Sequence, residues 1–271
     1  MANLLAIDTA TDTLSLALEV DRGIRGIHRA LARQHQQQLF QLLDEVLAGA
    51  DIRELGLDVI AYGSGPGSFT GLRIAVSFAQ GLGYSLGVPV IKVSSLEVQA
   101  QTALRHLQVF ADREATDPDL DGVVNANSVL LSTIDARMGQ VYAQWFKVAP
   151  SDHSGFSLQP VADESAFVVA SDQLAPPAWL TADDRIIVLG SGATSVVEHA
   201  QVDQTSAEHL RRDQIVSGEL LESITPDALD LLSLARSRLD KEDTLTPQDA
   251  RPDYVQPKLP WKKLADQGKP A

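Results

Sequence analysis

No cysteine occurs among the 271 residues, which excludes disulfides, cysteine-ligated zinc and a cysteine nucleophile and fits a reducing compartment. Aromatic residues are scarce, 5% against 44% hydrophobic residues in all, so any core must be largely aliphatic. Basic residues are outnumbered, 22 Lys and Arg against 36 Asp and Glu, for a net charge of −14. Nucleic-acid affinity rests largely on basic side chains that neutralise phosphates, so a surface this acidic repels RNA unless a partner supplies positive charge. Long apolar runs are also missing. No window approaches the roughly 18 uninterrupted apolar residues of a membrane span, and residues 1–8 lack the basic stretch and apolar core of a secretory signal. The expectation is a cytoplasmic protein with no membrane contact.

What is present reads as an α/β pattern. Runs at Leu4–Ile7, Leu14–Val20 and Ile24–Leu31 predict a three-stranded antiparallel meander. Residues 34–48 carry Leu39, Leu42, Leu43, Val46 and Leu47, the stripe of an amphipathic helix. A strand at 57–62, a helix at 70–86 closed by Gly87, a strand at 88–93 and a helix at 95–105 follow. These make a first half, residues 1–104. Residues 105–127, rich in Asp and Glu, read as an acidic linker or insertion. A second half, 128–245, opens with a strand pair at 128–135 and 140–148. A loop-rich stretch with short strands of unfixed bounds (151–184), a strand at 185–189, a helix from Thr194 and a helix from Pro226 to Leu239 complete it. Residues 246–271 form an extended tail with Pro247, Pro252, Pro257 and Pro260 and basic Lys258, Lys262, Lys263 and Lys269.

Two landmarks recur at a spacing of 127 residues: Ile7-Asp8 with Ile134-Asp135, and Gly63-Ser64-Gly65 with Gly190-Ser191-Gly192. Either chance or a duplicated unit of meander, helix, strand, glycine turn and helix accounts for them. The local signal is clearest at Gly63-Ser64-Gly65-Pro66-Gly67-Ser68-Phe69-Thr70-Gly71-Leu72-Arg73. Its glycines permit left-handed backbone and close approach, and Ser68 or Thr70 can cap the helix behind. The turn offers N–H groups to an anion or makes a tight strand-to-helix connection. It is neither a Walker loop nor a dinucleotide fingerprint.

In several ordered segments the chain resembles the TsaB (YeaZ) family. These are Leu5-Ala6-Ile7-Asp8-Thr9-Ala10-Thr11, Arg33-Gln34-His35, residues 65–74 of the glycine turn, Val93-Ser94-Ser95-Leu96-Glu97, and Ile134-Asp135-Ala136-Arg137-Met138-Gly139-Gln140-Val141-Tyr142. The resemblance implies a duplicated actin-like (ribonuclease H-like) fold with two mixed, five-stranded-type sheets and flanking helices. In that superfamily a nucleotide lies between the halves, and glycine turns approach its phosphates. The corresponding residues are Asp8, Thr9, Gly65, Gly67 and Ser68 in one half and Asp135, Gly190 and Gly192 in the other. The site looks degenerate, because Ala10 and Arg137 stand where the superfamily prefers glycine.

Catalytic TsaD relatives carry two metal-binding histidines four apart, where this sequence has Ser95 and Gln99. Neither a metal nor an intrinsic cofactor is expected, and ATP or ADP is left with weak binding or binding only within a complex. The family role is that of a non-catalytic scaffold. It pairs with a TsaD-type subunit, which transfers threonylcarbamoyl to the adenosine beside the tRNA anticodon; a TsaE-type ATPase joins them, and the scaffold self-associates when alone and meets tRNA only indirectly. Carried over, the interface comprises Gln34, His35, Leu39, Phe40, Arg73, Ser77, Phe78, Gln80 and Tyr84. The helix after the glycine turn has one apolar stripe at Leu72, Ala75, Ala79, Leu82 and Leu86 and a second at Ile74, Phe78 and Gly81, assigned to another helix or a partner. The alternatives are an autonomous ATPase or kinase of the same fold, and a serine peptidase using Ser68.

Overall fold

The computed structural model describes residues 2–21, 23–31, 34–112, 124–151, 155–161, 165–200 and 210–255. Most of the acidic stretch at 113–123, His153, His209 and the four lysines of the tail lie outside these. Among the described residues no helix is long and apolar enough to cross a membrane.

The first sheet has the order β3-β2-β1-β4-β5, built from β1 (Leu4–Asp8), β2 (Thr13–Val20), β3 (Gly23–Ala30), β4 (Val59–Gly65) and β5 (Val90–Ser94). The predicted meander is present: β1 and β2 are antiparallel, as are β2 and β3, while β4 and β5 run parallel to β1. Strand β1 is buried on both faces, and its alternation decides which layer each residue serves. Leu5 and Ile7 meet α1 (His35–Leu47) and α2 (Phe69–Leu86), whereas Leu4 and Ala6 meet α6 (Ala228–Leu239).

The second sheet repeats the plan in the order β11-β10-β6-β7-β8, with β9 also paired to β7. Its strands are β6 (Ser128–Arg137), β7 (Gln140–Pro150), β8 (Phe156–Pro160), β9 (Phe167–Ala170), β10 (Arg185–Leu189) and β11 (Ile215–Val216). Helix α3 (Ser95–Asp112) covers one face with Ala100, Ala103, Leu104 and Leu107, and α4 (Ala193–His199) covers the other. The short α5 (Glu219–Glu222) packs beside β10.

Three expectations need correction. The duplication holds for topology but not for the glycine turns. Leu4 pairs with Val59, so a strict copy would pair Leu131 with Ile186; the structure pairs Leu131 with Val188, two residues further along. The half boundaries also fail in space. Helix α3 runs past residue 104 to Asp112 and packs on the second sheet, while α6, from the second half, closes the back of the first. The two helices are therefore exchanged, and they meet each other where they cross. Pro226 does not open α6: Asp227 is its cap, with a carboxylate oxygen accepting the Leu229 N–H at 3.0 Å, and the proline precedes it.

Candidate functional site

At the end of β1 the chain turns sharply. Asp8 Oδ1 accepts the Ala10 N–H at 2.8 Å and Oδ2 accepts the Ser95 hydroxyl at 2.7 Å. Asp8 is buried to 1% exposure, and burial pushes its carboxyl up to about 6, against hydrogen bonds that pull it down. Thr9 is also buried, its hydroxyl donating to the Gly71 carbonyl at 2.7 Å.

The glycine turn packs directly on this segment. A Cβ at Gly67 would lie 2.4 Å from the Ala10 oxygen, one at Gly71 1.9 Å from the Thr9 oxygen, and one at Gly63 1.7 Å from Asp8 Oδ2. The Ser68 N–H donates to the Ala10 oxygen at 2.7 Å. Gly65 has φ +112 and precedes a cis Pro66. The space freed at Gly63, Gly67 and Gly71 is thus filled by the chain's own Asp8–Ala10 turn. Ser68 is the cap of α2, its Oγ accepting the Gly71 N–H at 3.4 Å.

The second half repeats the local chemistry. Asp135 Oδ1 accepts the Arg137 N–H at 2.8 Å, as Asp8 does from Ala10, and its Oδ2 takes the Arg137 guanidinium at 3.1 Å. A Cβ at Gly190 would lie 2.0 Å from the Thr133 oxygen, and one at Gly192 3.0 Å from the Thr133 side chain. These glycines, too, permit internal close packing.

The two positions matched to metal-binding histidines point inward. Ser95 is spent on Asp8. Gln99 is fully buried, accepts the Ser132 hydroxyl at 2.8 Å and donates to the Ile224 carbonyl at 2.7 Å. Among the described residues no cluster of three or more His, Cys, Asp or Glu is placed to hold a metal.

Helices α1 and α2 lie side by side over the first sheet. The outward stripe of α2 is Phe69, Arg73, Ser77, Gly81 and Tyr84, with nothing within 4 Å of a Cβ built on Gly81. Phe40 on α1 and Tyr84 are the prominent apolar side chains, 67% and 72% exposed. Gln34 is exposed as well. Other expected interface residues fall elsewhere. Leu39 and His35 are buried in the chain's own interior, and Ile74 and Phe78 are half-buried against the core, so the supposed second apolar stripe is mostly internal. Gln80 donates to the Ala250 carbonyl at 3.0 Å.

That last contact belongs to a feature the sequence did not disclose. Residues 244–255 form a strap over β4, β5 and α2. Leu245 exchanges two backbone hydrogen bonds with Val90, at 2.8 and 2.9 Å. The Tyr62 hydroxyl lies 3.2 Å from both backbone N and O of Arg251. Asp253 accepts the Ser64 hydroxyl at 2.7 Å and Lys92 at 3.0 Å. Tyr254 stacks on Phe69 with centroids 5.4 Å apart, and the Arg73 guanidinium lies 3.9 Å from the Phe69 ring centre. The tail is therefore docked as far as Val255, with only a short 3-10 turn at Pro247–Asp249.

Comparison with known proteins identifies relatives of this fold. Residues 20–151 match the family described as TsaD: tRNA N6-adenosine threonylcarbamoyltransferase. The tRNA threonylcarbamoyladenosine biosynthesis protein TsaB of Escherichia coli is 30% identical over 96% of this chain and 97% of its own length. The Haemophilus influenzae TsaB is 28% identical over 96% of each. A solved structure of YeaZ from Pseudomonas aeruginosa superimposes with a TM-score of 0.68 at 27% identity, covering 94% of this chain and all of that one. With a shared duplicated actin-like fold and near-complete coverage, this chain belongs to the TsaB (YeaZ) family of tRNA threonylcarbamoyladenosine biosynthesis proteins.

Proposed function

We propose that this chain is a non-catalytic scaffold that activates a TsaD-type threonylcarbamoyltransferase by pairing with it through the outer faces of α1 and α2. The observation that carries the reading is the fate of Ser95 and Gln99. Where a catalytic relative needs imidazoles facing a cleft, this chain has two buried polar side chains satisfied by its own atoms. The glycine turns are likewise closed on themselves. A nucleotide therefore engages only weakly or in the assembled complex, which a TsaE-type ATPase completes, and tRNA is held by the partners and not by this acidic subunit.

Pairing is favoured by Phe40 and Tyr84, exposed aromatics that become desolvated anchors when a partner covers them. The open space over Gly81, one turn from the exposed Ser77, lets a partner helix come close. Self-association uses the same face when the partner is absent.

The test is co-purification with the cognate TsaD-type subunit, followed by a tRNA modification assay with and without this chain. Modification should require it, and Phe40→Glu with Tyr84→Glu should abolish pairing while leaving the fold intact. Calorimetry with ATP and magnesium on the lone chain should show no turnover. Brisk hydrolysis by the lone chain, or modification that proceeds without it, sinks the reading.

A further inference from the structure

The tip of the β6–β7 hairpin is conformationally unusual. Arg137, Met138 and Gly139 sit consecutively at φ +70, +56 and +72. Arg137 pairs with Gln140, so Met138 and Gly139 form a two-residue loop with both members left-handed. Glycine, asparagine and aspartate take that first position readily, whereas a long side chain is disfavoured there. Met138 gains no internal packing in return, since it is 99% exposed. Local backbone chemistry therefore does not account for methionine at this position.

The tip is also stiff. Asp135 holds both the N–H and the guanidinium of Arg137, at 2.8 and 3.1 Å. The Asp135 N–H donates to Ser191 Oγ at 3.1 Å. Ser171 donates its N–H and its hydroxyl to the Gly139 carbonyl, at 3.0 and 3.2 Å. A braced, strained turn that presents one apolar side chain is arranged for display.

We propose that this tip is a docking knob whose Met138 seats in an apolar socket on the TsaD-type subunit. The inference rests on the pairing proposed above and extends that contact to the second half of the molecule. The occupant is a protein because the charge at the tip is balanced internally: Arg137 is engaged by Asp135. On a chain of net charge −14 this leaves little attraction for RNA phosphates or an anionic membrane. An unbranched, polarisable thioether is suited to filling an irregular protein pocket.

Two variants separate display from structure. Met138→Asn should raise thermal stability by relieving the turn, and weaken pairing with the TsaD-type subunit about tenfold or more. Met138→Leu should pair within about threefold of wild type, because an apolar side chain of similar volume remains. Hydrogen peroxide gives an independent probe, since Met1 and Met138 are the only sulfur-bearing residues. The thioether sulfur takes one oxygen atom from the peroxide, forming the sulfoxide and releasing water. That treatment should weaken pairing of wild type but not of Met138→Leu. Wild-type affinity in Met138→Asn, equal losses in the Asn and Leu variants, or binding of tRNA that depends on Met138 would overturn the knob. Pairing lost in Phe40→Glu but unchanged in Met138→Asn removes the knob and leaves the α1/α2 reading standing, whereas no pairing by wild type removes both.

Discussion

Two titratable side chains, Asp8 buried and His28 only partly desolvated, give this protein opposing responses to acid. In the folded chain Asp8 titrates at about 6, raised from 3.8 by burial, so between those values the native state holds a proton that the unfolded chain has lost. Its contribution to stability therefore grows as pH falls from about 6 toward 4, and at neutral pH the buried carboxylate costs on the order of 3 kcal/mol. Asp8→Asn should raise the melting temperature at pH 7.5, with Ser95 turning to accept from the new amide, and the gain should vanish near pH 4. His28 runs the other way. Burial lowers its pKa, against an attraction from Asp227, so stability from the neutral ring is present above about pH 6.5 and lost as pH falls below it. The ring bridges Ser15 and Thr225 at 3.2 and 2.9 Å. Urea titrations at pH 7.5 and 5.5 should show His28→Gln losing less stability on acidification than wild type does. An equal loss in both would refute this assignment.

Elements differ in how openly the sequence declares them. The strand at Arg185–Leu189, the Ser68 cap and the Gly87 stop were all legible, because each depends on local residues: a short aliphatic run, a hydroxyl before a helix, a glycine at φ +70. Strands β8 and β9 were legible only as short strands without fixed bounds in the loop-rich stretch, because each is only four or five residues long, half-buried and at the margin of the sheet. The glycines of the candidate site were legible as special, with anion contact and a tight strand-to-helix connection both left open as their purpose. Their missing side chains make room for neighbouring backbone, and only the folded chain shows whose backbone that is.

The same distinction yields a prediction within α2. Gly71→Ala forces a Cβ to 1.9 Å from the Thr9 oxygen and should destabilise by about 2–4 kcal/mol, read by chemical denaturation. Gly81→Ala meets open space and should stabilise the lone chain by roughly 0.5–1 kcal/mol. If α2 receives a partner helix, that same Gly81→Ala should weaken pairing. A variant more stable and equally competent to pair would move the contact elsewhere on the helix.

For the whole molecule, the exchange of α3 and α6 matters most, and no local pattern encodes it. Helices packed on the far sheet have the same amphipathic signature as helices packed on the near one, so the half boundaries could not be drawn from sequence. Where the helices cross, Arg105 of α3 grips Asp230 at 2.9 Å and Asp227 at 2.9 Å, and Asp230 is buried. Arg105→Met leaves that carboxylate without its partner and should cost about 3–5 kcal/mol. Because each sheet borrows a wall from the other half, the halves should unfold together. Far-UV circular dichroism and the fluorescence of Trp145, buried in the second sheet, should report one coincident transition. Two separated transitions would mean that the exchange does not couple them.

Borrowed walls also set a timetable during synthesis. On the ribosome the rear of the first sheet stays bare until the segment from Ala228 to Leu239 has emerged. From Ser94, where the sheet is complete, to Leu239 the ribosome works at about 5–20 residues per second, so that interval lasts roughly 7–30 s. The nascent chain spends it with Leu4, Ala6, Ile91 and Val93 uncovered, and this is when chaperone capture of the newborn polypeptide should peak.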